Sequence, residues 1–281
     1  MLNDIQTIEL ATGIGASECA AVLGINPWMT PYELWRIKTG RDKHDISKEP
    51  HVIMGQLLEP VIAERYMQRT GDKLAQVHKA YRHPKYPHIL CHIDRRVVGK
   101  KKAVEIKKAS PFSKDWGEEN TEIFPAMYHA QIQHQYLATN GAFDDIEVAA
   151  YRGLSDIETF VTKPEPEVMN LIIEKVNHFW FEHVLKNVAP EPTTRGDLAI
   201  LYPLNKGDYV MSTPQVYELL TKLKAIKIDI KEYTAEKVAH EKQVIEFIKD
   251  KDGIIDGDNV LATFKADKNG IRRLIIKGDK S

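Results

Sequence analysis

The chain has 281 residues, 43% hydrophobic and 28% charged, with a formal net charge of −1; this composition excludes fibrous and disordered classes and leaves room for one substantial core plus a smaller unit. No apolar run approaches the ~20 residues that span a bilayer, and the opening MLNDIQTIEL lacks the basic-then-apolar pattern of a secretory leader, so no membrane association is expected. Cys19 and Cys91 lie outside any CxxC pair and cannot frame a disulfide scaffold, which points to a reduced, cytoplasmic setting.

Thr30, Pro31 and Glu33 spell a helix N-terminus: a capping hydroxyl, a proline whose missing N–H costs nothing at the first position, and a carboxylate three residues past the cap. Gly40 stops that helix, and Tyr32, Leu34, Trp35 and Ile37 give it a core face. A second helix is expected over residues 51–69, ending near Gly71 and interrupted at Pro60, which places Glu59 at a break from which its side chain can point into a cleft. Residues 73–82, 89–94 and 103–108 read as strands, with 83–88 a turn. A helix over 126–139 closed by Asn140-Gly141, strands at 145–151 and 157–162, and a helix over 166–187 follow.

This alternation predicts an α/β fold with a central mixed β-sheet flanked by helices, occupying residues 1–190. Residues 189–196 read as a linker, and residues 195–281 as an appendage. Val216, Leu219, Leu220, Leu223, Ile226 and Ile230 give residues 214–249 the spacing of a long exposed helix or helical hairpin. Strands at 259–265 and 271–276 then flank Asp267-Lys268-Asn269-Gly270, whose Asn-Gly pair suits a β-hairpin.

Asp94 stands eleven residues before Glu105-Ile106-Lys107. Period-two alternation sends Glu105 and Lys107 to one face of their strand and Val104, Ile106 and Lys108 to the other. Magnesium prefers oxygen ligands and keeps several waters, so a few carboxylates anchor it while a nearby ammonium steadies charge developing on a phosphate. The spacing alone is common, since edge strands carry exposed charges of the same kind. Arg95, Arg96, Lys100, Lys101, Lys102, Lys107 and Lys108 crowd around the motif; they either focus the field of a groove or, over 99–102, form a solvated hairpin turn. A zinc site from Cys91, His92, His129 and His134 has poor spacing, because residues 91 and 92 point to opposite faces of a strand. Neither GxSxG nor GxxxxGK[ST] occurs.

Several motifs in order carry a resemblance: Gly15-Ala16-Ser17-Glu18, Asn26-Pro27-Trp28, Thr30-Pro31-Tyr32-Glu33-Leu34-Trp35, Lys38-Thr39-Gly40, Gly55-Gln56-Leu57-Leu58-Glu59-Pro60, Asp94, Glu105-Ile106-Lys107, and Tyr128 through His134. Across roughly residues 10–190 the chain resembles the YqaJ-type phage recombination nucleases, relatives of lambda exonuclease in the PD-(D/E)XK superfamily. The resemblance implies a restriction-endonuclease-like fold. It also implies a magnesium-dependent DNA exonuclease, with manganese able to substitute and two ions per site, that digests one strand of linear duplex DNA from the 5′ end and leaves a 3′ single strand for a phage annealing protein. Relatives form a homotrimeric ring around DNA.

Carried over residue by residue, the resemblance makes Asp94, Glu105, the Ile106 carbonyl and Glu59 metal ligands, Lys107 the catalytic lysine, and Gln131 the glutamine facing the active site. Ser17 falls in a pocket for a 5′-terminal phosphate. Where many relatives carry an arginine just before the glycine motif, this chain has Glu9-Leu10-Ala11-Thr12, so Arg36 or Arg41 is expected to substitute. His92 shares a strand face with Asp94, which either brings it to the substrate phosphate or leaves it a plain surface histidine. The alternatives are a RecB-like nuclease or endonuclease on the same core, and a noncatalytic DNA-binding module.

Overall fold

A computed structural model describes residues 9–43, 48–113, 115–153, 156–204, 207–267 and 270–278. The chain divides into two units, Met1–Leu204 and Asn205–Ser281. In chain order the first contains β1 (Ile14–Gly15), α1 (Ala16–Val22), α2 (Pro31–Lys38), α3 (Pro50–Thr70), β2 (Leu74–Gln76), β3 (Tyr81–Arg82), β4 (Ile89–Cys91), β5 (Arg95–Val97) and β6 (Lys102–Lys108). There follow α4 (Ala126–Thr139), β7 (Asp145–Tyr151), β8 (Ile157–Thr162), α5 (Pro166–His178), which continues as π-helical turns over Phe179–Leu185, and α6 (Arg195–Leu201).

The central sheet has five strands in the order β2-β5-β6-β7-β8, and it is mixed because β6 and β7 run parallel while the other pairs are antiparallel. A parallel pair needs a crossover, and α4 supplies it. Alternation along β6 sends Val104 and Ile106 to one face, where they bury against Ile62, Ala63 and Tyr66 of α3, and sends Ala103 to the other, into a core shared with Ile132 of α4, Phe160 of β8 and Ile172 of α5. This is the helix-flanked mixed sheet expected from the sequence.

Helix α3 runs through Pro60 without a break in its span. A mid-helix proline costs ~3 kcal/mol. Burial of Ile62 and Tyr66, at roughly 1.5–3 kcal/mol for each large side chain, offsets it. Helix α2 starts as its sequence requires: the Thr30 hydroxyl accepts from the Glu33 N–H at 3.1 Å, and the Glu33 carboxylate accepts from the Thr30 N–H at 2.8 Å.

The expected strand over 73–82 divides into β2 and β3, and the one over 89–94 ends at Cys91, with β5 beginning beyond it at Arg95. The ribbon that pairs Leu74 with Val97 in the central sheet continues as Tyr81 with Cys91 in a separate three-stranded sheet, β1-β4-β3. It changes sheets at residues 77–80 on one side and 92–94 on the other, where Ile93 turns inward at 2% exposure. A strand that serves two layers cannot keep one ladder, so Asp94 lies at a break between β4 and β5 and not within a strand. Gly13 is required beside β4, since a Cβ there would lie 2.4 Å from the His88 carbonyl oxygen.

The first unit extends past the expected boundary at 190. The Thr30 hydroxyl donates to Asp197 at 2.6 Å, and the same carboxylate accepts from the N–H groups of Thr193 and Thr194 at 2.8 and 3.0 Å. Asp197 is fully buried, and this capping network fastens α6 to α2, so residues 195–204 belong to the first unit.

The second unit consists of α7 (Pro214–Ile248) followed by β9 (Gly253–Asp256), β10 (Asn259–Ala266) and β11 (Arg272–Ile276), a three-stranded antiparallel sheet in place of the expected two-stranded hairpin. The additional strand depends on Gly253, where a Cβ would lie 2.2 Å from the Ala262 carbonyl oxygen. Lys268 and Asn269 of the expected turn lie outside the described residues. Arg272 holds this unit together: it donates to the carbonyls of Phe264, Lys249 and Lys251 and stacks 4.1 Å above the Phe264 ring.

Candidate active site

The break at Asp94 shapes the site. Beyond Ala103 and Val104, β5 no longer pairs with β6, and the N–H of Ile106 donates to Asp94 Oδ2 at 2.9 Å. The N–H and C=O of one strand residue share an edge, so the Ile106 carbonyl faces the same opening. Burial, reinforced by the negative charge of Glu105, pushes the Asp94 acid above the usual carboxylate range.

Across the opening, Glu105 is 4% exposed, and donors hold both of its oxygens. Lys107 Nζ and Gln131 Nε2 reach Oε1 at 2.7 and 2.6 Å, and Gln135 Nε2 reaches Oε2 at 2.7 Å. Lys107 also donates to Gln131 Oε1 at 3.0 Å and lies 5.0 Å from the centre of the Tyr128 ring. Burial works against the Lys107 charge, but the carboxylates of Glu105 and Asp94 overcome it and raise its pKa. Lysine and glutamate thus share a face as the strand period demands, clamped by two glutamines one helical turn apart on α4.

Asp94, Glu105, Lys107 and Gln131 line a cleft of about 350 Å³ with Gly15, Ser17, Gly55, Gln56, Glu59, His92 and Lys108 among its walls, within the size range of small-molecule sites. Glu59 lines it but pairs with Arg95 Nη1 at 2.7 Å. Its helix covers the face of β6 opposite α4, and among the described residues no three His, Cys, Asp or Glu side chains group closely enough to hold a metal ion. The expected third acidic ligand thus lies on the cleft wall, paired with Arg95. The remaining donor set still fits magnesium, which is commonly anchored by one or two carboxylates with waters and substrate phosphate completing its shell. Asp94 and Glu105 supply two such carboxylates on the wall of the cleft.

Ser17 sits in the second position of α1, exposed on the cleft wall, while Gly15 occupies the cap. His92 lines the cleft with Nε2 2.9 Å from Glu9. Arg36 does not line it: its guanidinium is paired with Asp42 at 2.5 and 2.9 Å. Arg41 lies over Trp35 and donates to Asn187. Neither is placed to substitute for the missing arginine. The cleft's cations are Lys107 and Lys108 instead.

Gln135 is the member of the clamp on Glu105 that sequence reasoning missed. Its signal was its position four residues after Gln131, the helical neighbour distance. Gln133 instead ties α4 to the chain after β8, donating to the Lys163 carbonyl at 2.8 Å and accepting from the Glu165 N–H at 2.9 Å.

Residues 11–142 match the YqaJ-like viral recombinase domain. These residues belong to that family. The YqaJ-like domain holds the whole Asp94, Glu105, Lys107, Gln131 and Gln135 constellation. The chain is also 34% identical over 194 residues to the uncharacterized protein YqaJ of Bacillus subtilis (strain 168), a match covering 68% of this chain and 59% of that protein. It thus spans about three fifths of that relative's length. Among solved structures it is similar to an alkaline exonuclease, LHK-Exo, from Laribacter hongkongensis, with a TM-score of 0.50 at 17% identity over 65% of this chain and 92% of that one. The same enzyme in complex with dAMP matches with TM-score 0.50 and 17% identity over 70% and 95%. At that identity the likeness establishes the fold. Among the described residues no helix is long and apolar enough to cross a membrane.

Proposed function

We propose that the YqaJ-like domain is a magnesium-dependent deoxyribonuclease that digests one strand of linear duplex DNA from its 5′ end, leaving a 3′ single strand for an annealing protein. The observation that carries this reading is the buried Glu105–Lys107 pair, 2.7 Å apart and clamped by Gln131 and Gln135, beside Asp94 at the mouth of a cleft. A buried ion pair of this kind is a weak device for stability, because desolvation consumes much of the attraction; its location in a cleft favours chemistry.

Asp94 and Glu105 would hold the cation, with the Ile106 carbonyl on the same edge. When bound, the cation supplies Lewis-acid polarisation of the scissile phosphate. Lys107, kept charged by its two carboxylates, directs an ammonium at the charge that develops on the phosphoryl oxygens, and Gln131 fixes the orientation of both Glu105 and Lys107. Lys108 and Ser17 give the phosphate backbone polar walls to rest on. The alkaline exonuclease activity of the structural neighbour and the phage recombinase character of the family support the same reading. A ring of three copies enclosing the duplex is the assembly this reading takes.

The test is digestion of linear duplex labelled separately at its 5′ and 3′ ends, beside a covalently closed circle, with magnesium or with chelator. We expect early release of the 5′ label, an intact circle and no digestion without the metal. Lys107→Ala is expected to slow digestion by at least ~10²–10³-fold, the scale for losing one charge-stabilising group. Linearised circles, or a Lys107→Ala protein as active as the parent, would overturn the proposal.

A further inference from the structure

Helix α7 is 35 residues long, yet within its own unit only its C-terminal end is covered: Ile248 is 2% exposed, while Val216, Leu219, Leu223, Ile226, Ile230 and Tyr233 are 46–70% exposed. Those six recur at alternating steps of three and four, the a and d positions of a heptad. A helix carrying such a seam takes most of its stability from what covers it.

The charges flanking the seam select the partner and its direction. In this register Lys222 and Asp229 occupy g positions and Leu220 and Lys227 occupy e positions. A parallel pair of these helices would set Lys222 against Lys227 of the other copy, twice. An antiparallel pair about a two-fold axis between Lys224 and Ala225 stacks Val216 on Tyr233, Leu219 on Ile230 and Leu223 on Ile226, each layer occurring twice, and brings Lys222 to Asp229 of the other copy, also twice. A surface whose residue i meets j while j meets i is the signature of an isologous contact, and flanking charges set orientation in coiled coils.

We infer that residues 216–233 of α7 form an antiparallel coiled coil with the same helix of a second copy of this chain. The contact spans 18 residues, about 27 Å at 1.5 Å per residue. It does not depend on the nuclease reading, since none of its residues belongs to the cleft. A two-fold contact gives assemblies with an even number of chains, a ring of three becoming six.

The test measures the mass of the full-length chain by light scattering coupled to size exclusion. We expect an even number of copies for the parent, and half that mass for Lys222→Asp, for Asp229→Lys and for Leu223→Asp. The doubly exchanged Lys222→Asp/Asp229→Lys chain restores the opposite-sign pairs and the parent mass. Mixing the two single charge variants sets acidic residues 222 and 229 of one helix against basic residues 222 and 229 of the other and also restores it. An odd number of copies, a mass unmoved by the single variants as when the seam packs on its own chain, or a swap that fails to rescue would each overturn the inference. Digestion of linear DNA by the same variants is read separately, so loss of pairing and loss of nuclease activity are distinguishable.

Discussion

Residue by residue, the site is governed by what surrounds Glu105. Gln135 supplies the only donor recorded on Glu105 Oε2 among the described residues. Leaving a buried acceptor without its partner costs about 1–3 kcal/mol, so Gln135→Ala should lower the thermal midpoint by several degrees. It should also lower kcat with little change in DNA affinity, because the loosened carboxylate touches chemistry and not binding. Calorimetry and single-turnover digestion check this; unchanged kcat would remove Gln135 from the site. Gly55 gives the opposite combination. A Cβ built there meets nothing within 4 Å, and Gly in a helix costs roughly 0.5–1 kcal/mol relative to Ala. Gly55→Ala should therefore stabilise the protein by about that amount with digestion retained. Gly55→Phe should fill the cleft wall and slow digestion in a protein that still melts cooperatively.

At the scale of elements, α4 is both the crossover of the sheet and the carrier of the glutamine clamp, and His134 anchors it to β4. The ring is fully buried, and Nε2 donates to the Leu90 carbonyl at 3.1 Å. Burial lowers its pKa to about 4 from the ordinary 6.5. Between those values the unfolded chain takes up a proton that the folded chain refuses. This contribution to stability is therefore complete above about pH 6.5 and disappears as pH falls toward 4, amounting to about 3 kcal/mol across the window. Thermal midpoints measured from pH 7 to pH 5 should fall for the parent and fall less for His134→Gln. Parallel curves for the two would show that α4 is held by other groups.

For the whole molecule, the two units divide labour. The sheet, its helices and every residue of the cleft lie within Met1–Leu204. A chain ending at Leu204 should fold, melt within a few degrees of the first unit's transition in the full protein, and retain digestion of linear DNA to within a few-fold. Its assembly should be that of the α7 charge variants. A truncated chain that fails to fold would make the second unit part of the nuclease core.

Periodicity and chemistry along the chain determined a great deal. The alternation of β6 placed Glu105 with Lys107, Thr30-Pro31 with Glu33 started α2 where the structure starts it, and the heptad of α7 is readable without coordinates. Those features are local, set by side-chain direction and by hydrogen bonds that close within four residues. The rest depended on partners distant in sequence. The ribbon of residues 74–97 splits between two sheets because its two halves face different neighbours, and that split puts Asp94 on the Ile106 N–H. Arg95 takes Glu59, Asp42 takes Arg36, and Asp197 draws α6 onto α2, each a contact between side chains that strand and helix periods do not relate. The residue types that suit a cation and a phosphate are written in the chain; which of them converge was decided only when packing chose among competing ion pairs.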